Sequence, residues 1–451
     1  MYIPYPPDDL STRTLYSEKG PLKKGGFSLD TSGMASFFGG DAAVAAMTTL
    51  HLDPSRQWMG WYNCPGTYEV AKRYSMFCKS RLLEGLFPNV TTDLATLLGM
   101  ANLKGAKYIG AHNGSILEEA GPFSAVLMKD CMDIPETVRV PGRVTQEVKV
   151  TVCELAHIPG VGQAVLGTPI CSPFIAALPI AVSAIAAAVC GTFKDWVSFS
   201  MIVLGVLVNG ISCIVIGSGK FTFHCAQTVN ASGDGILVSE KEKEIVVLKG
   251  DENAVNPITR GSFTLDFKGK PKRAKGVKWC CILLVLQVIL QLLLIPQGSL
   301  LGQLMFIASL ASSWVYNLWL SSRDREKIQR EVFVKGVLRS PKRRRFILGT
   351  RTSAVVFILL VLQPKDPAKT MDLLLPDTPG WKKFKAHIVS QIRDGRGFRS
   401  DDSWWGDPEI ASERGVLETL CRDAEAAREG FREHYLSDLP TPASNNIAPP
   451  A

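Results

Sequence analysis

Gln287 and Gln291 stand four residues apart in a stretch that otherwise carries only apolar side chains, a spacing that puts both amides on one face of a helix. Gln303 and Asn317 lie in the next apolar stretch, and Asn209 in an earlier one. Amides in such surroundings have two uses. They can join helices, at about 0.6 kcal/mol per hydrogen bond, or they can line a polar path for a small solute. A proton- or ion-coupled path calls for ionisable groups at depth, and these stretches hold none.

Other constellations fail on spacing. Residues 216–221 (IGSGKF) lack the Gly and the Ser or Thr that a phosphate loop needs. Residues 160–165 (GVGQAV) end on Val where the dinucleotide fingerprint needs Gly or Ala. The six His show no metal-ligand spacing, and the eleven Cys include no CxxC pair and suggest no disulfide framework. No catalytic, metal-binding or cofactor-binding residue can be nominated, and no cofactor is expected. An enzyme with its site within residues 41–167 stays open, with no residue to name.

The elements that must position the amides follow from charge distribution. Residues 169–190, 196–217, 279–295 and 299–320 are free of Asp, Glu, Lys, Arg and His. A helix of 22 residues reaches about 33 Å, enough for a hydrocarbon core of about 30 Å. The runs come in two close pairs joined by very short connectors, so each pair forms a hairpin. Trp196, Trp279, Trp314 and Trp319 fall at or near run ends, where interfacial aromatics gather. A fifth apolar piece, within residues 346–363, is interrupted by Arg351 and leaves a clean run of nine. It reads as a buried strand, a core helix or an interfacial segment, with a span as the less favoured alternative.

The chain carries 50 Lys plus Arg against 42 Asp plus Glu, a net +8, with a mean hydropathy of +0.12. Two runs hold the excess. Lys268, Lys270, Lys272, Arg273, Lys275 and Lys278 precede the third apolar stretch with no acid among them. Residues 323–345 hold ten basic residues against three acidic ones and end in Lys342, Arg343, Arg344 and Arg345. The positive-inside bias places the central loop and both termini in the cytoplasm, where the sequons at Asn89, Asn113 and Asn230 stay unmodified. The same basic residues are expected to meet anionic lipid headgroups, at about 1 kcal/mol each near the surface. Nucleic acid is not expected, because aromatic or motif context is missing. Cys280 and Cys281, just past the first run, are placed either for acylation or as plain buried residues.

The segmentation expected is a tail at 1–40, a mixed α/β domain at 41–167, a hairpin at 168–217, a β-rich loop at 218–276 and a second hairpin at 277–322. A basic segment with the short apolar piece and a C-terminal helix follows at 323–439, then a tail at 440–451. Within these, residues 67–87 read as one amphipathic helix and residues 92–103 as a second. Residues 136–153 alternate like strands around Pro141-Gly142, and residues 236–239, 244–249 and 262–267 read as a three-stranded meander. The C-terminal helix opens at Asp407-Pro408 and presents Leu417, Leu420, Ala424, Ala427 and Phe431 on one side.

The strings at 249–261 (KG to NPITRG), 293–298 (LLIPQG), 348–352 (LGTRT) and 365–367 (KDP) resemble a group of multi-pass proteins of basidiomycete fungi that has no assigned activity. The resemblance covers roughly the second half of the chain and implies a multi-pass membrane protein, with no residue roles to carry over. The expected class is therefore an α-helical integral membrane protein, with four transmembrane helices in two hairpins and small mixed α/β cytoplasmic domains. Its expected role is that of a structural or adaptor platform. The alternative is a transporter or channel using the amides.

Overall fold

The structure is a computed structural model, and it describes residues 32–78, 80–88, 97, 100, 103–156, 173–225, 231–240, 242–267, 271–322, 325–399 and 413–437. The helices in chain order are α1 (Gly40–Leu52), α2 (Thr67–Ser75), α3 (Arg81–Leu86), α4 (Pro122–Met132), α5 (Ala177–Thr192), α6 (Trp196–Gly217) and α7 (Glu252–Thr259). They continue as α8 (Pro271–Leu294), α9 (Leu300–Ser321), α10 (Arg325–Arg330), α11 (Arg351–Leu362), α12 (Pro367–Leu374), α13 (Pro379–Asp394) and α14 (Arg414–Gly430). The strands are β1 (Lys107–Gly110), β2 (Ile116–Leu117), β3 (Thr137–Arg139), β4 (Val148–Glu154), β5 (Lys220–His224), β6 (Gly235–Val238), β7 (Glu244–Lys249), β8 (Ser262–Asp266) and β9 (Lys342–Leu348).

Cα packing divides the chain into two units, one comprising Met1–Ala101, Gln163–Thr222 and Phe263–Ile328, the other Asn102–Gly162, Phe223–Ser262 and Gln329–Ala451. This departs from the segmentation read along the chain. The stretch expected as one domain at 41–167 is shared between the units. The loop at 218–276 likewise divides, because its strands pair with partners far away in sequence.

The first unit is built on four helices long and apolar enough to cross a membrane, Phe174–Thr192, Trp196–Gly217, Lys275–Gln297 and Leu300–Ser321. They match the four uncharged runs to within a few residues. Each has half or less of its apolar window buried, and what it turns outward is apolar, with Leu178 65 % and Trp279 62 % exposed. Both connectors are capped. Asp195 accepts from Ser198 N at 3.1 Å at the start of α6, and the Ser299 hydroxyl accepts from Gly302 N at 3.1 Å at the start of α9. Asp195 also accepts from Ser299 N (2.8 Å) and Ser299 Oγ (2.6 Å), which ties the two turns together. Helices α1 and α2 pack into this bundle rather than into a separate domain.

The helix expected over 67–87 is broken. α2 ends at Ser75, whose hydroxyl donates to the Lys72 carbonyl at 2.7 Å, a local bond that competes with the helical ladder. A 3-10 turn follows at Met76–Cys78, then α3. The helix expected at 92–103 lies mostly outside the described residues, as do the tail at 440–451, Asp407 and Pro408. The described C-terminal helix starts at Arg414.

The second unit holds a seven-stranded mixed sheet in the order β2-β1-β6-β7-β4-β9-β3. β4 runs parallel to β7 and antiparallel to β9, with Val150 opposite Phe346. β3 and β4 are therefore not a hairpin, since β9 lies between them. The expected meander ends after β6–β7, because α7 follows and β8 pairs instead with β5. Alternation assigns the faces. Val150, Val152, Ile245, Val247, Phe346 and Leu348 join a core with α11, α13 and α14. The α14 seam of Leu417, Leu420, Ala424, Ala427 and Phe431 packs into it as its spacing predicts. α11 is the fifth apolar piece. Its 12 residues reach about 18 Å as helix, short of a bilayer, and it is the buried core helix of this unit, opened by the Thr350 hydroxyl accepting from Ser353 N.

Candidate functional site in the helical bundle

The site is an irregular peptide held inside the first unit. After α1, Asp53 caps a 3-10 turn (Pro54–Met59) by accepting from Ser55 N at 3.1 Å. Residues 60–66 (GWYNCPG) then run without regular structure back along α6 before α2 begins. Gln57 Nε2 donates to the Gly217 carbonyl (2.6 Å), Asn209 Nδ2 donates to the carbonyls of Gly60 (2.7 Å) and Tyr62 (3.2 Å), and Asn63 reaches Gly205. The contacts thus descend α6 from its last residue to its middle. Gly205 has no alternative, because a Cβ there would collide with Asn63 Oδ1. Gly66 closes the segment at φ 74°, so close to Gly40 that a side chain would strike its backbone.

Asn63 is the hub and is fully buried. Its backbone N–H donates to Ser183 Oγ of α5 (3.1 Å), its Nδ2 donates to Ser309 Oγ of α9 (2.9 Å), and its Oδ1 accepts from Gln291 Nε2 of α8 (3.4 Å). One side chain and its own amide therefore hydrogen-bond to three of the four long helices, at Ser183 and Ser309 near mid-length and at Gln291 in the last turn of α8. Nearby, Tyr62 OH donates to Asn317 Oδ1 (3.2 Å), and Asn317 Nδ2 donates to Cys64 Sγ (3.3 Å). Arg56, 4 % exposed, donates to Thr49 Oγ1 and to Tyr316 OH (3.3 Å). At the end of α1, the His51 ring bridges Tyr74 OH (3.0 Å) and the Gly219 carbonyl (2.9 Å). Buried backbone groups need partners, and Asn209 and Ser183 supply them to the Gly60 and Tyr62 carbonyls and the Asn63 N–H.

Four of the five amides singled out from sequence belong to this seam. Asn209, Gln291 and Asn317 bond the buried peptide, and Gln287 Nε2 donates along the helix to Gln291 Oε1 (3.5 Å). Gln303 stands apart. It donates to the carbonyls of Pro296 (3.2 Å) and Gly298 (3.1 Å) and closes the second hairpin turn. The space left inside the seam, bounded by Arg56, Tyr62, Cys64, Asn209, Tyr316 and Asn317, is about 20 Å³, room for one water. What the residue-by-residue reading missed is the peptide itself. Its signal was present: residues 57–68 contain no charged side chain and include Trp58, Trp61, Tyr62 and Tyr68.

The residues expected at lipid headgroups divide. Lys268 and Lys270 lie outside the described residues. Lys272 and Arg273 fall in the first turn of α8, followed by exposed Lys275 and half-buried Lys278. Lys342, Arg343, Arg344 and Arg345 open β9, where Lys342 is exposed and the three arginines make ion pairs within the unit. Arg343 pairs with Asp130, Arg344 with Glu154 (3.1 Å) beneath the Tyr435 ring, and Arg345 with Glu244 (2.9 Å). Strand alternation explains it, with Arg343 and Arg345 turned towards α4 and Arg344 towards the α11 face. Burial also lowers the Arg343 guanidinium from its ordinary range. Cys280 and Cys281 are 3 % and 0 % exposed inside the bundle, so the buried reading fits and acylation would need α8 to move. Among the described residues, no group of three or more His, Cys, Asp or Glu could hold a metal ion. Compared with protein-family models, with curated proteins and with solved structures, the chain has no significant match.

Proposed function

We propose that this chain is a multi-pass membrane protein whose helical bundle is a closed anchor for the sheet unit, which acts as a structural or adaptor platform. The observation that carries the reading is the origin of the sheet. β1 to β4 come from before the first hairpin, β6 and β7 from between the hairpins, and β9 from after the second. Strands of one sheet share one side of a bilayer, so each hairpin must return to the side it left. Two crossings per hairpin satisfy that parity, and the four long apolar helices supply them. The outward apolar side chains support insertion. The charge bias of residues 268–278 favours the cytoplasm as the shared side.

The alternative, a transporter or channel, draws no support from the amides. Gln291, Asn209 and Asn317 are engaged by the buried peptide, and the space beside Arg56, Tyr62 and Asn317 admits a single water.

Single cysteines at positions 194, 297, 240 and 382, labelled by an impermeant maleimide in sealed vesicles, test the arrangement. Positions 194 and 297 should label from one side, 240 and 382 from the other. Labelling of 194 and 240 from the same side overturns it. Reconstituted protein should add no solute flux to empty liposomes. Saturable flux abolished by Gln291→Leu would replace the anchor by the transporter.

A further inference from the structure

The sheet unit has a cleft that the anchor reading does not use. β1 ends at Gly110, and the turn Ala111-His112-Asn113-Gly114 leads to β2. The turn is built to hold its shape. Gly110 N donates to the Ser115 carbonyl (2.8 Å), Asn113 Oδ1 accepts from Ser115 N (3.0 Å), and Gly114 sits at φ 66°. His112 Nε2 lies 3.4 Å from Asp234 Oδ2, which fixes one edge of the ring. Facing this turn is the start of α12. Between them is a cavity of about 230 Å³ lined by His112, Asn113, Gly114, Lys365, Lys369 and Thr370, among others.

The charges there are set against their local structure. Lys365 and Lys369 flank the first turn of α12, where the helix dipole disfavours cations. Neither forms an ion pair within the described residues, and Lys369 Nζ leans to 3.1 Å from where a Gly114 Cβ would be. The one carboxylate in the lining, Asp366, is committed to the helix end, accepting from Lys369 N at 3.4 Å. Both lysines are exposed at the cavity rim, and beside the asparagine amide they offer an anion two charges and a hydrogen-bond donor at once. The volume lies below the roughly 300–1,000 Å³ of sites for drug-sized ligands, which excludes a dinucleotide and suits a small ester. Lysines act as point charges on phosphate, whereas carboxylate is better matched by an arginine fork, and no arginine lines the cavity.

We propose that this cleft binds a phosphate monoester of small size, held by Lys365 and Lys369 and oriented by Asn113 and His112. The ester is either a soluble one or the headgroup of a lipid such as phosphatidic acid, and the test separates the two. The full chain in phosphatidylcholine nanodiscs is titrated with glycerol 3-phosphate by calorimetry, and in parallel incorporated into nanodiscs with phosphatidic acid and followed by phosphorus-31 line broadening. Saturable binding is expected in at least one arm. It should weaken about tenfold or more in Lys365→Ala/Lys369→Ala and stay unchanged in Lys382→Ala, an exposed lysine on α13. A thermal melt of the double variant matching that of the parent shows that the loss is one of binding. No saturable response in either arm, or binding that survives the double substitution, overturns the proposal.

Discussion

At the scale of single residues, Asn63 and Asp195 hold the bundle by different means. Asn63→Ala would strip Ser183 of nothing, because that bond is to backbone, but it would leave Ser309 and Gln291 facing an apolar gap. The expected cost is about 1–3 kcal/mol, read as a lower midpoint in detergent unfolding, while Ser183→Ala should cost less. Asp195→Ala removes a helix cap and both bonds to Ser299, an expected loss of about 1–2 kcal/mol. Thiols of the sheet unit offer a pH readout. Burial raises Cys153 from 9.0 to about 12 and Cys421 to about 11. Both stay neutral near pH 7 and should resist maleimide until the unit unfolds. In the unfolded chain they ionise near their ordinary values while the folded unit still holds the protons. Stability is therefore intact below about pH 9 and falls as pH rises towards 12, which denaturation at a series of pH values checks.

At the scale of elements, the same types of residue took opposite fates according to what packs on them. Lys342–Arg345 resembles a membrane-surface run, yet it forms a central strand. Its arginines are tolerated there because carboxylates from α4, β4 and β7 meet them. Arg345→Ala removes the Nη2 that donates to both Glu244 oxygens, leaves Glu244 only Lys149 at 3.5 Å, and is expected to cost about 3 kcal/mol, as for a broken buried pair. Arg344→Ala, at a more exposed pair, should cost about 1 kcal/mol or less. A denaturation curve for each variant tests that order, and equal losses would reject it. α11 was legible as apolar and too short to span, but its partners were not, since they come from three distant stretches. Phe357, fully buried against Phe346, Phe431 and Tyr435, should cost about 3–5 kcal/mol as Phe357→Ala.

At the scale of the whole molecule, the chain interleaves two units, leaving one and returning to it through the apolar hairpins. Truncation after residue 328 removes β9 from between β4 and β3, together with α11 and α14. The remaining strands should then lose their sheet and become protease-sensitive. The bundle, whose segments are all retained, should keep its helical signal and resist digestion. Loss of both together would show that the two units do not fold separately.

Hydropathy and charge along the sequence were enough to locate the four long helices, their pairing through short connectors, an apolar piece within residues 346–363 too short to span, and the α14 seam. Each is a local property: a run without charge, a connector of a few residues, a spacing of three and four. Tertiary structure alone decided that residues 57–66 enter the bundle, that Asn63 gathers three helices, that β9 divides β3 from β4, and that two lysines share a cleft with the β1–β2 turn. These depend on pairings across many tens to more than two hundred residues, where an amide or a guanidinium chooses its partner by what the fold brings within 3 Å. No window along the chain contains both members of such a pair.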